Sequence, residues 1–341
     1  MTGTERLSVE PAADAAEWDR FVETVSGGTF CHLAGWQSVL GGVMGHATHY
    51  LTARAPDGSL EGVLPVVRLS SPLFGRRYVS VPYLNDGGPL GTTAGVERLV
   101  AEAELMAERD RATLQLRMRT GPVEAEASKV TVLLDLPDNP EELWKRLPSK
   151  LRSQVRRPQK AGMTTRFGAD QLDAFYDVWS RNMLDLGTPV LGRSFFQEIV
   201  RTFPSYFEIG CVYQGDVPVA AGAGFFFGTE FEITWASSLR SHSASAPNML
   251  LYWEFMSRAI ERDARTFNFG RCTPGEGTHR FKLQWGGETV PLPWVNVPRA
   301  DSAKSRGPGR SARLVSAAWQ RLPLRVANLI GPVIARQLPW W

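Results

Sequence analysis

The chain has 341 residues, of which 43% are apolar and 21% are charged, and its formal net charge is only +3, so it is neither disordered nor strongly polyionic as a whole. Its length exceeds the ~250 residues at which a single core stops growing and predicts two domains. Three scattered cysteines exclude a disulfide framework, and neither a signal peptide nor a run of ~18 apolar residues is found, so the expected location is the cytoplasm.

The first half of the chain alternates helical and strand patterns. Helical periodicity opens it, and turn residues such as the Pro-Asp-Gly-Ser of 56–59 separate runs that are typical of strands. The patterns predict helices at 14–25, 34–43 and 95–112 and strands at 49–55, 60–70, 76–82, 113–119 and 129–136.

The second half repeats this order. Its patterns predict helices at 171–186, 194–203 and 248–264 and strands at 206–214, 217–228, 231–238, 266–270 and 289–297. Both halves read α-α-β-β-β-α-β-β, which predicts an α/β (α+β) protein of two tandem domains, each a mixed sheet flanked by helices. The predicted boundaries are 1–140 for the first domain, 141–165 for a connection, 166–300 for the second domain and 301–341 for a tail.

The connection at 141–165 is predicted to be helical and basic. Leucine and valine recur every fourth position on one face, and three basic residues recur at the same spacing on another: Arg152, Arg156 and Lys160. The span 145–166 holds eight basic residues and no acidic one. Such a stripe indicates an anionic partner that carries phosphates, although a simply solvated face is the alternative.

Several segments resemble one family when they are taken together. They are EGVLPVVRLSSPLFGRRYVSVPYLNDGG at 61–88, LPSKLRSQVRRPQKAGM at 147–163, PNMLLYWEFM at 247–256 and FNFGRCTPGEGTHRFKLQWGG at 267–287. Their order resembles the FemAB family of tandem GNAT-fold acyl- and aminoacyltransferases. It is most similar to the branch associated with exosortase and PEP-CTERM systems.

The resemblance implies transfer of an acyl or aminoacyl group to an amine of a cell-wall or surface-polysaccharide precursor. The co-substrate would be aminoacyl-tRNA or acyl-CoA, with no resident cofactor, and the acceptor an anionic or lipid-linked precursor. Two other hypotheses stay open. One is an acyl-CoA-dependent N-acetyltransferase that acts on an amino sugar, and the other is a non-catalytic protein that binds a polyanion or an assembly partner.

The candidate catalytic residues come from the last of these segments. Lys282, in the pair Phe281-Lys282, matches the family's Phe-Lys pair and is expected to stand at a strand exit, where it stabilises the charge on the reacting carbonyl. Its alternative is a surface lysine in a loop. Arg271 follows a predicted buried strand and is expected either to clamp a phosphate or carboxylate or to pair with an acid at the strand end. No Gly-Lys-Ser/Thr follows Gly275 or Gly277, so this is not a phosphate loop of the Walker type.

Asn248 and Tyr252 lie where GNAT enzymes begin the helix that holds the pyrophosphate of acyl-CoA. The family's glycine-rich signature is missing there, which leaves a tRNA-borne donor open, and Asn248 has the alternative role of a helix cap. In the first half, Tyr83 and Asp86 stand in PYLNDGG. Asp86 is expected to accept or orient the proton of the attacking ammonium, or to be an ordinary turn residue.

The tail at 301–341 mixes spaced arginines with large apolar residues. From 298 to 341 there are eight basic residues and one acid, Asp301. The pattern predicts peripheral contact with a membrane beside lipid-linked substrates, or alternatively a helix docked on the body with the terminal tryptophans in a groove.

Other chemistries lack their motifs. The chain has no His-Glu-x-x-His, Gly-x-Ser-x-Gly or Cys-x-x-Cys, and its five histidines are scattered. We therefore expect neither a metal site nor a serine triad.

Overall fold

The computed structural model describes residues 7–12, 14–72, 74–119, 129–297 and 310–338. It divides into two compact units. Among the described residues, the first unit contains those up to Lys129 together with 291–297 and 336–338, and the second contains 130–290 and 310–335.

The described elements follow the alternation that the sequence predicts. In chain order they are β1 (Ser8–Pro11), α1 (Ala15–Thr24), β2 (Ala47–Arg54), β3 (Leu60–Ser71), β4 (Gly75–Val79), β5 (Leu90–Gly91), α2 (Thr93–Arg109), β6 (Thr113–Arg117), β7 (Lys129–Asp135), α3 (Pro140–Arg146), α4 (Ser149–Lys160), β8 (Met163–Phe167), α5 (Leu172–Asp185), α6 (Arg193–Thr202), β9 (Phe207–Gln214), β10 (Val217–Phe227), β11 (Glu230–Ser238), α7 (Pro247–Glu261), β12 (Thr266–Asn268), α8 (Gly277–Leu283), β13 (Glu288–Leu292), β14 (Trp294–Val297), α9 (Arg310–Trp319) and α10 (Leu324–Ala335). Mixed sheets flanked by helices are confirmed.

In the first unit, the sheet has the order β1-β2-β3-β4-β6-β14, and β5 also pairs with β3. Most neighbours are antiparallel, while β4 and β6 run parallel. Helix α2 covers the sheet with Leu99, Ala103 and Ala107, which lie in one apolar cluster with strand residues such as Leu64. The region 34–43, predicted as one helix, contains a π-helix at Ser38–Val43.

In the second unit, the sheet has the order β13-β7-β12-β11-β10-β9-β8. Helices cover both faces of this sheet, as two adjacent residues of β10 that point to opposite sides show. Phe226 contacts Phe231, which belongs to the apolar cluster that includes α4 and α7. Phe225 contacts Trp235, which packs against the aromatic residues of α6.

Two strands belong to different sheets from those that the sequence pattern predicts. The run at 129–136 was expected to complete the first sheet, but β7 pairs antiparallel with β12 in the second. The run at 289–297 was expected to be one strand, but it forms β13 in the second sheet and β14, which pairs with β6 in the first. Alternation specifies a strand and its buried face but not the edge at which it pairs, so both assignments needed the tertiary structure.

A register shift in β11 changes which side chains face which helix layer. Ala223 pairs with Trp235 whereas Gly224 pairs with Ile233, so Thr234 has no partner residue on β10. This bulge puts Ile233 on the α7 side and Trp235 on the α6 side. Bulges turn backbone groups locally away from regular pairing, and they are common next to active sites.

Gly224 is required by the close approach of the two strands at this bulge. A Cβ atom at this position would lie 2.1 Å from the carbonyl oxygen of Glu232 and 2.8 Å from the ring of Phe231. We expect Gly224→Ala to lower the free energy of unfolding by about 3 kcal/mol, because backbone cannot yield as a flexible side chain does. Thermal and denaturant unfolding measure this change.

The matched control is Gly42→Ala, since a Cβ at Gly42 meets no atom within 4 Å. It should leave stability within ~1 kcal/mol of the parent. Equal stability of Gly224→Ala and the parent would show that the strands can separate to admit the methyl group.

Candidate functional site

The site begins where β12 leaves β11. The two strands pair in parallel only from Glu230–Glu232 to Thr266–Asn268, although β11 continues to Ser238. Beyond β12 the chain remains bonded to β7, because the N–H of Phe269 donates to Val132 O at 2.9 Å and that of Cys272 to Val130 O at 2.8 Å. A gap therefore opens between the later part of β11 and the segment 269–272.

The side chain of Asn268 holds the two strands together where the gap begins. Its Nδ2 donates to Glu232 Oε2 at 3.0 Å and to Glu230 Oε1 at 2.9 Å. Its Oδ1 accepts from Thr131 Oγ1 at 2.5 Å and from the N–H of Gly270 at 2.9 Å. Asn268 and Glu232 are almost completely buried, so this network is shielded from water and ties β7, β11 and β12 together.

Lys282 lies in α8 and points inward. Its side chain is only 6% exposed, and Nζ donates to the carbonyl oxygens of Gly270 at 2.7 Å and Arg271 at 2.9 Å. Burial lowers the pKa of Lys282 to about 8, against the opposing influence of Cys272 and Glu232. An ammonium has three hydrogens, so one is left for a ligand.

Two expectations about this stretch are corrected. Lys282 was predicted to stand at a strand exit, but residues 277–283 form a helix. The alternative of a surface lysine in a loop is also wrong, because the side chain is buried. Helical spacing explains the orientation, since Lys282 faces the core while its neighbour Leu283 is exposed.

Arg271 lies directly after Gly270, whose φ of 68° turns the chain out of the strand. Its side chain is half-buried. Burial lowers the pKa of the Arg271 guanidinium, and the nearby carboxylate of Glu232 acts in the opposite direction. The gap is thus bordered by two cationic groups and one buried carboxylate, a balance that favours an anionic or oxyanionic ligand.

Aromatic side chains form a wall beside Lys282. The rings of Phe281 and Tyr252 are 4.9 Å apart, and Tyr252 also stacks near Phe269 at 5.7 Å and Trp285 at 6.3 Å. Burial raises the pKa of Tyr252, so its hydroxyl stays neutral. The buried Nε1 of Trp285 has no hydrogen-bond partner among the described residues, which makes it a donor for a bound ligand.

The N-terminus of α7 follows β11 through a short 3-10 turn, 240–245. Ala246 precedes the helix with a φ of 53°, and no side chain caps it. Asn248 is the second residue of α7 and does not cap the helix, so the cap alternative is wrong. The free N–H groups of the first turn and the positive end of the helix dipole make this terminus attractive to an anion.

The basic stripe predicted for the connection lies on α4. The apolar residues Leu151 and Val155 are buried, Arg152 is half-buried, and Arg156 and Lys160 are exposed. The exposed pair lies with Ser153, Gln154 and Arg157 around an open depression of about 410 Å³.

Within the described parts of the chain, no carboxylate pairs with Arg152, Arg156, Arg157 or Lys160. The guanidinium of Arg156 stacks 5.2 Å above the ring of Trp144. Stacking uses the face of the guanidinium and leaves its hydrogens free to bind a phosphate.

Tyr83 and Asp86 lie in a buried loop of the first unit. The hydroxyl of Tyr83 is 2.7 Å from His46 Nε2. The backbone φ of Tyr83 is 71°, which is rare for a tyrosine. Asp86 is 2% exposed, accepts from Thr29 Oγ1 at 2.9 Å and pairs with Arg119 at 3.1 Å. The alternative for Asp86 was an ordinary turn residue, and the structure shows a buried carboxylate that is paired with Arg119. Its role in proton transfer stays a prediction.

The structure therefore brings together Lys282, Phe281, Arg271 and Tyr252, with Asn248 one turn before Tyr252 on α7. Sequence reasoning missed Glu232, Asn268 and Thr131 in the second unit. Their signal was present, since each is a polar residue directly between two apolar ones, as in Val-Thr-Val at 130–132, Phe-Glu-Ile at 231–233 and Phe-Asn-Phe at 267–269. Among the described residues, no group of three or more His, Cys, Asp or Glu could hold a metal ion.

The buried ammonium of Lys282 gives a prediction about stability and pH. With a folded-state pKa of about 8 and an unfolded value of 10.5, the unfolded chain binds more protons between these pH values. The wild type should therefore gain stability relative to Lys282→Met as the pH rises from 8 to 10.5, by on the order of 3 kcal/mol at most. Denaturant unfolding of both proteins from pH 7 to 10.5 measures the difference.

The control is Lys150→Met, which changes an exposed lysine of α4. It measures how far the loss of a surface lysine changes stability over the same pH range. A difference between the wild type and Lys282→Met that is constant with pH would mean that the pKa of Lys282 is not lowered by folding.

Comparison with known proteins agrees with this geometry. Residues 145–283 match the family model described as an acetyltransferase (GNAT) domain. This span contains β8 to β12, α7 and Lys282. No curated protein matches the sequence significantly.

Three solved structures show the fold of the chain as a whole. FemX is 14% identical with a TM-score of 0.64, and the match covers 84% of this chain and 95% of FemX. The C-terminal domain (DUF2156) of a putative lysylphosphatidylglycerol synthetase from Agrobacterium fabrum is 13% identical with a TM-score of 0.57, covering 96% and 98%. A tandem GNAT protein from the clavulanic acid biosynthesis pathway is 12% identical with a TM-score of 0.50, covering 85% and 97%.

These likenesses are of fold, since every identity is below 15%. The gap between β11 and β12, the buried Lys282 and the domain match all fall in the second unit. The chain has the fold of tandem GNAT proteins, carries an acetyltransferase (GNAT) domain at 145–283 and is an acyltransferase.

Proposed function

We propose that the protein transfers an acyl or aminoacyl group from an activated donor to an amine of a cell-wall or surface-polysaccharide precursor, as the FemAB family does. The observation that carries the proposal is the buried ammonium of Lys282, which is fixed by two carbonyl oxygens beside the gap between β11 and β12. The resemblance to the exosortase-associated branch directs the choice of acceptor towards surface polymers. Because aminoacyl-tRNA and acyl-CoA are both cytoplasmic molecules, the proposed reaction takes place in the cytoplasm.

The chemistry requires a stabilised oxyanion. The lone pair of the acceptor amine attacks the donor carbonyl carbon, a C–N bond forms, and the carbonyl oxygen becomes negative. Lys282 uses its third hydrogen to stabilise this oxyanion. The intermediate then collapses, the bond to the CoA sulfur or the tRNA ribose oxygen breaks, and that leaving group takes up a proton.

The acceptor must also lose protons, because an alkyl ammonium has no lone pair. Glu232 is the buried carboxylate at the edge of the gap. Its Oε2 accepts a hydrogen bond from Asn268 Nδ2, and its Oε1 accepts one from Thr234 Oγ1 at 3.4 Å. We assign Glu232 the role of proton acceptor for the acceptor amine.

Two features favour different donors. The α4 face presents Arg156, Arg157 and Lys160 without a paired carboxylate in the described residues, and such a face suits a ligand with many phosphates such as tRNA. The uncapped N-terminus of α7 suits the single diphosphate of acyl-CoA. Aminoacyl-tRNA is our first choice because the glycine-rich sequence that GNAT enzymes use for CoA is missing before α7.

The alternatives keep specific support. An acyl-CoA-dependent N-acetyltransferase of an amino sugar would use the α7 terminus and the same Lys282. A polyanion-binding role would use the α4 face and leave Lys282 and Arg271 dispensable.

Donor binding and transfer test the proposal directly. The protein is titrated with bulk aminoacyl-tRNA and separately with acetyl-CoA. It is then incubated with radiolabelled aminoacyl-tRNA and a nucleotide-linked muramyl peptide, or with labelled acetyl-CoA and glucosamine. We expect Lys282→Met to lower single-turnover transfer by about 10²–10³-fold while donor affinity changes little, because the lost hydrogen bond forms fully only in the transition state.

Arg193→Gln serves as the control, because this exposed arginine of α6 is paired with Asp173, and it should transfer at the wild-type rate. Saturable binding of acetyl-CoA, lost in Arg271→Ala, would replace the tRNA donor by CoA. Equal transfer by Lys282→Met and the wild type would remove the proposed role of Lys282. If the protein binds neither aminoacyl-tRNA nor acetyl-CoA, both proposed donors are rejected.

The α4 face yields a separate prediction. Replacing Arg156, Arg157 and Lys160 by Gln should lower tRNA affinity at least tenfold in 50 mM salt and reduce the slope of log affinity against log salt by about 2, because fewer counterions are released. The matched control replaces Arg193 and Arg201 by Gln, since these arginines of α6 are paired with Asp173 and Glu198. An unchanged slope in the α4 variant would exclude this face from phosphate binding.

A further inference from the structure

Helix α10 docks on the second unit with its smallest residues. Ala327, Gly331 and Ala335 are buried, and a Cβ at Gly331 would lie 3.0 Å from Val190. Asn328 Nδ2 donates to Ser180 Oγ of α5 at 3.3 Å. The helix is therefore held close to the body by a face with little apolar volume. This arrangement is the reverse of an ordinary surface helix, which buries its large side chains.

Four large apolar residues of α10 point to solvent. Val326, Leu329, Ile330 and Val333 are 40%, 77%, 37% and 50% exposed, respectively. They occupy positions i, i+3, i+4 and i+7, which fall on one face of a helix.

Helix α9 also exposes large apolar side chains. It docks on the end of α5, where Gln320 Nε2 donates to Asp185 O at 2.9 Å and Trp319 is buried. Leu314 and Val315 of α9 are 69% and 67% exposed. Six of the eleven large apolar side chains that are exposed among the described residues lie on these two helices. So dense a concentration of exposed apolar groups marks a binding surface.

Positive charge borders the stripe. Arg321 and Arg325 are exposed, and at 3.6 residues per turn Arg325 lies next to Leu329 on the edge of the apolar face. Seven lysines and arginines follow Asp301 in the sequence, and no acidic residue does. A partner for this surface must accept apolar side chains and offer negative charge around them.

We propose that the outward face of α9 and α10 binds the surface of a membrane that contains anionic lipids. A bilayer meets both requirements at once, since its acyl chains take up the apolar stripe and its headgroups pair with the arginines. The core of a protein interface, by contrast, is depleted of charge. With 12 residues, α10 is about 18 Å long, and no described helix is long and apolar enough to cross a bilayer, so α10 lies in the plane of the interface.

The sequence had offered membrane contact and docking on the body as alternatives. The structure shows α10 docked through its small residues and exposed on four of its large ones, so membrane contact and docking on the body are compatible. The further idea that the terminal tryptophans fill a groove concerns Trp340 and Trp341, which lie outside the described residues.

Flotation of the full chain with vesicles tests the proposal. With vesicles of 30% phosphatidylglycerol and 70% phosphatidylcholine, we expect the wild type to float and the double variant Leu329→Ser/Val333→Ser to bind at least tenfold more weakly. The double variant Arg321→Gln/Arg325→Gln should bind these vesicles more weakly than the wild type, and its binding should depend less on the salt concentration. The matched control, Leu105→Ser/Val217→Ser, changes apolar residues that are exposed elsewhere and should float as the wild type does.

Three outcomes would overturn the proposal. They are no flotation of the wild type, equal flotation of the Leu329/Val333 variant, and equal flotation with pure phosphatidylcholine, which would remove the role of anionic lipid. If sedimentation shows a dimer that the same variant dissociates, the face belongs to a second copy of the chain. Circular dichroism and thermal unfolding verify that each variant is folded. The result does not depend on acyl transfer, which the Lys282 experiment tests separately.

Discussion

The four hydrogen bonds of the Asn268 side chain determine where β11 and β12 separate, and the rest of the site depends on that point. One amide joins two carboxylates of β11 to a threonine of β7 and to the backbone of Gly270. The chain beyond Asn268 then follows β7 alone, which opens the gap and turns the carbonyl oxygens of Gly270 and Arg271 towards Lys282. Asn268, inside the sheet, thereby controls the backbone of Gly270 and Arg271 just beyond the end of β12.

The site combines groups that are unfavourable for stability. Lys282 is buried, its hydrogen-bond partners among the described residues are two carbonyl oxygens, and burial lowers its pKa to about 8. Arg271 is drawn into the same region beside the buried Glu232. A buried ammonium is destabilising unless it is well hydrogen-bonded, but in a water-poor gap it acts more strongly on a developing negative charge than it would at the surface. Stability and reactivity therefore place opposite demands on this lysine.

The two proposed surfaces of the second unit differ in what they offer. The α4 face presents cations without a neighbouring acid among the described residues, whereas the face of α9 and α10 presents apolar side chains bordered by arginines. The first suits a soluble polyphosphate and the second suits a lipid surface. An enzyme that joins a phosphate-bearing donor to a lipid-linked acceptor would use both.

The sequence by itself determined the alternation of helices and strands, the tandem α/β architecture and the basic stripe of α4, because periodicity, charge spacing and motif order are local properties of the chain. It also singled out Lys282 and Arg271 as candidate site residues. Only the tertiary structure decided that β7 and β14 complete opposite sheets, that Lys282 is in a helix and buried, and that Asp86 pairs with Arg119. It also revealed Glu232 and Asn268 as partners and showed which face of α10 is exposed. These features depend on contacts between residues far apart in sequence, and no local pattern specifies which edge, face or partner a residue meets.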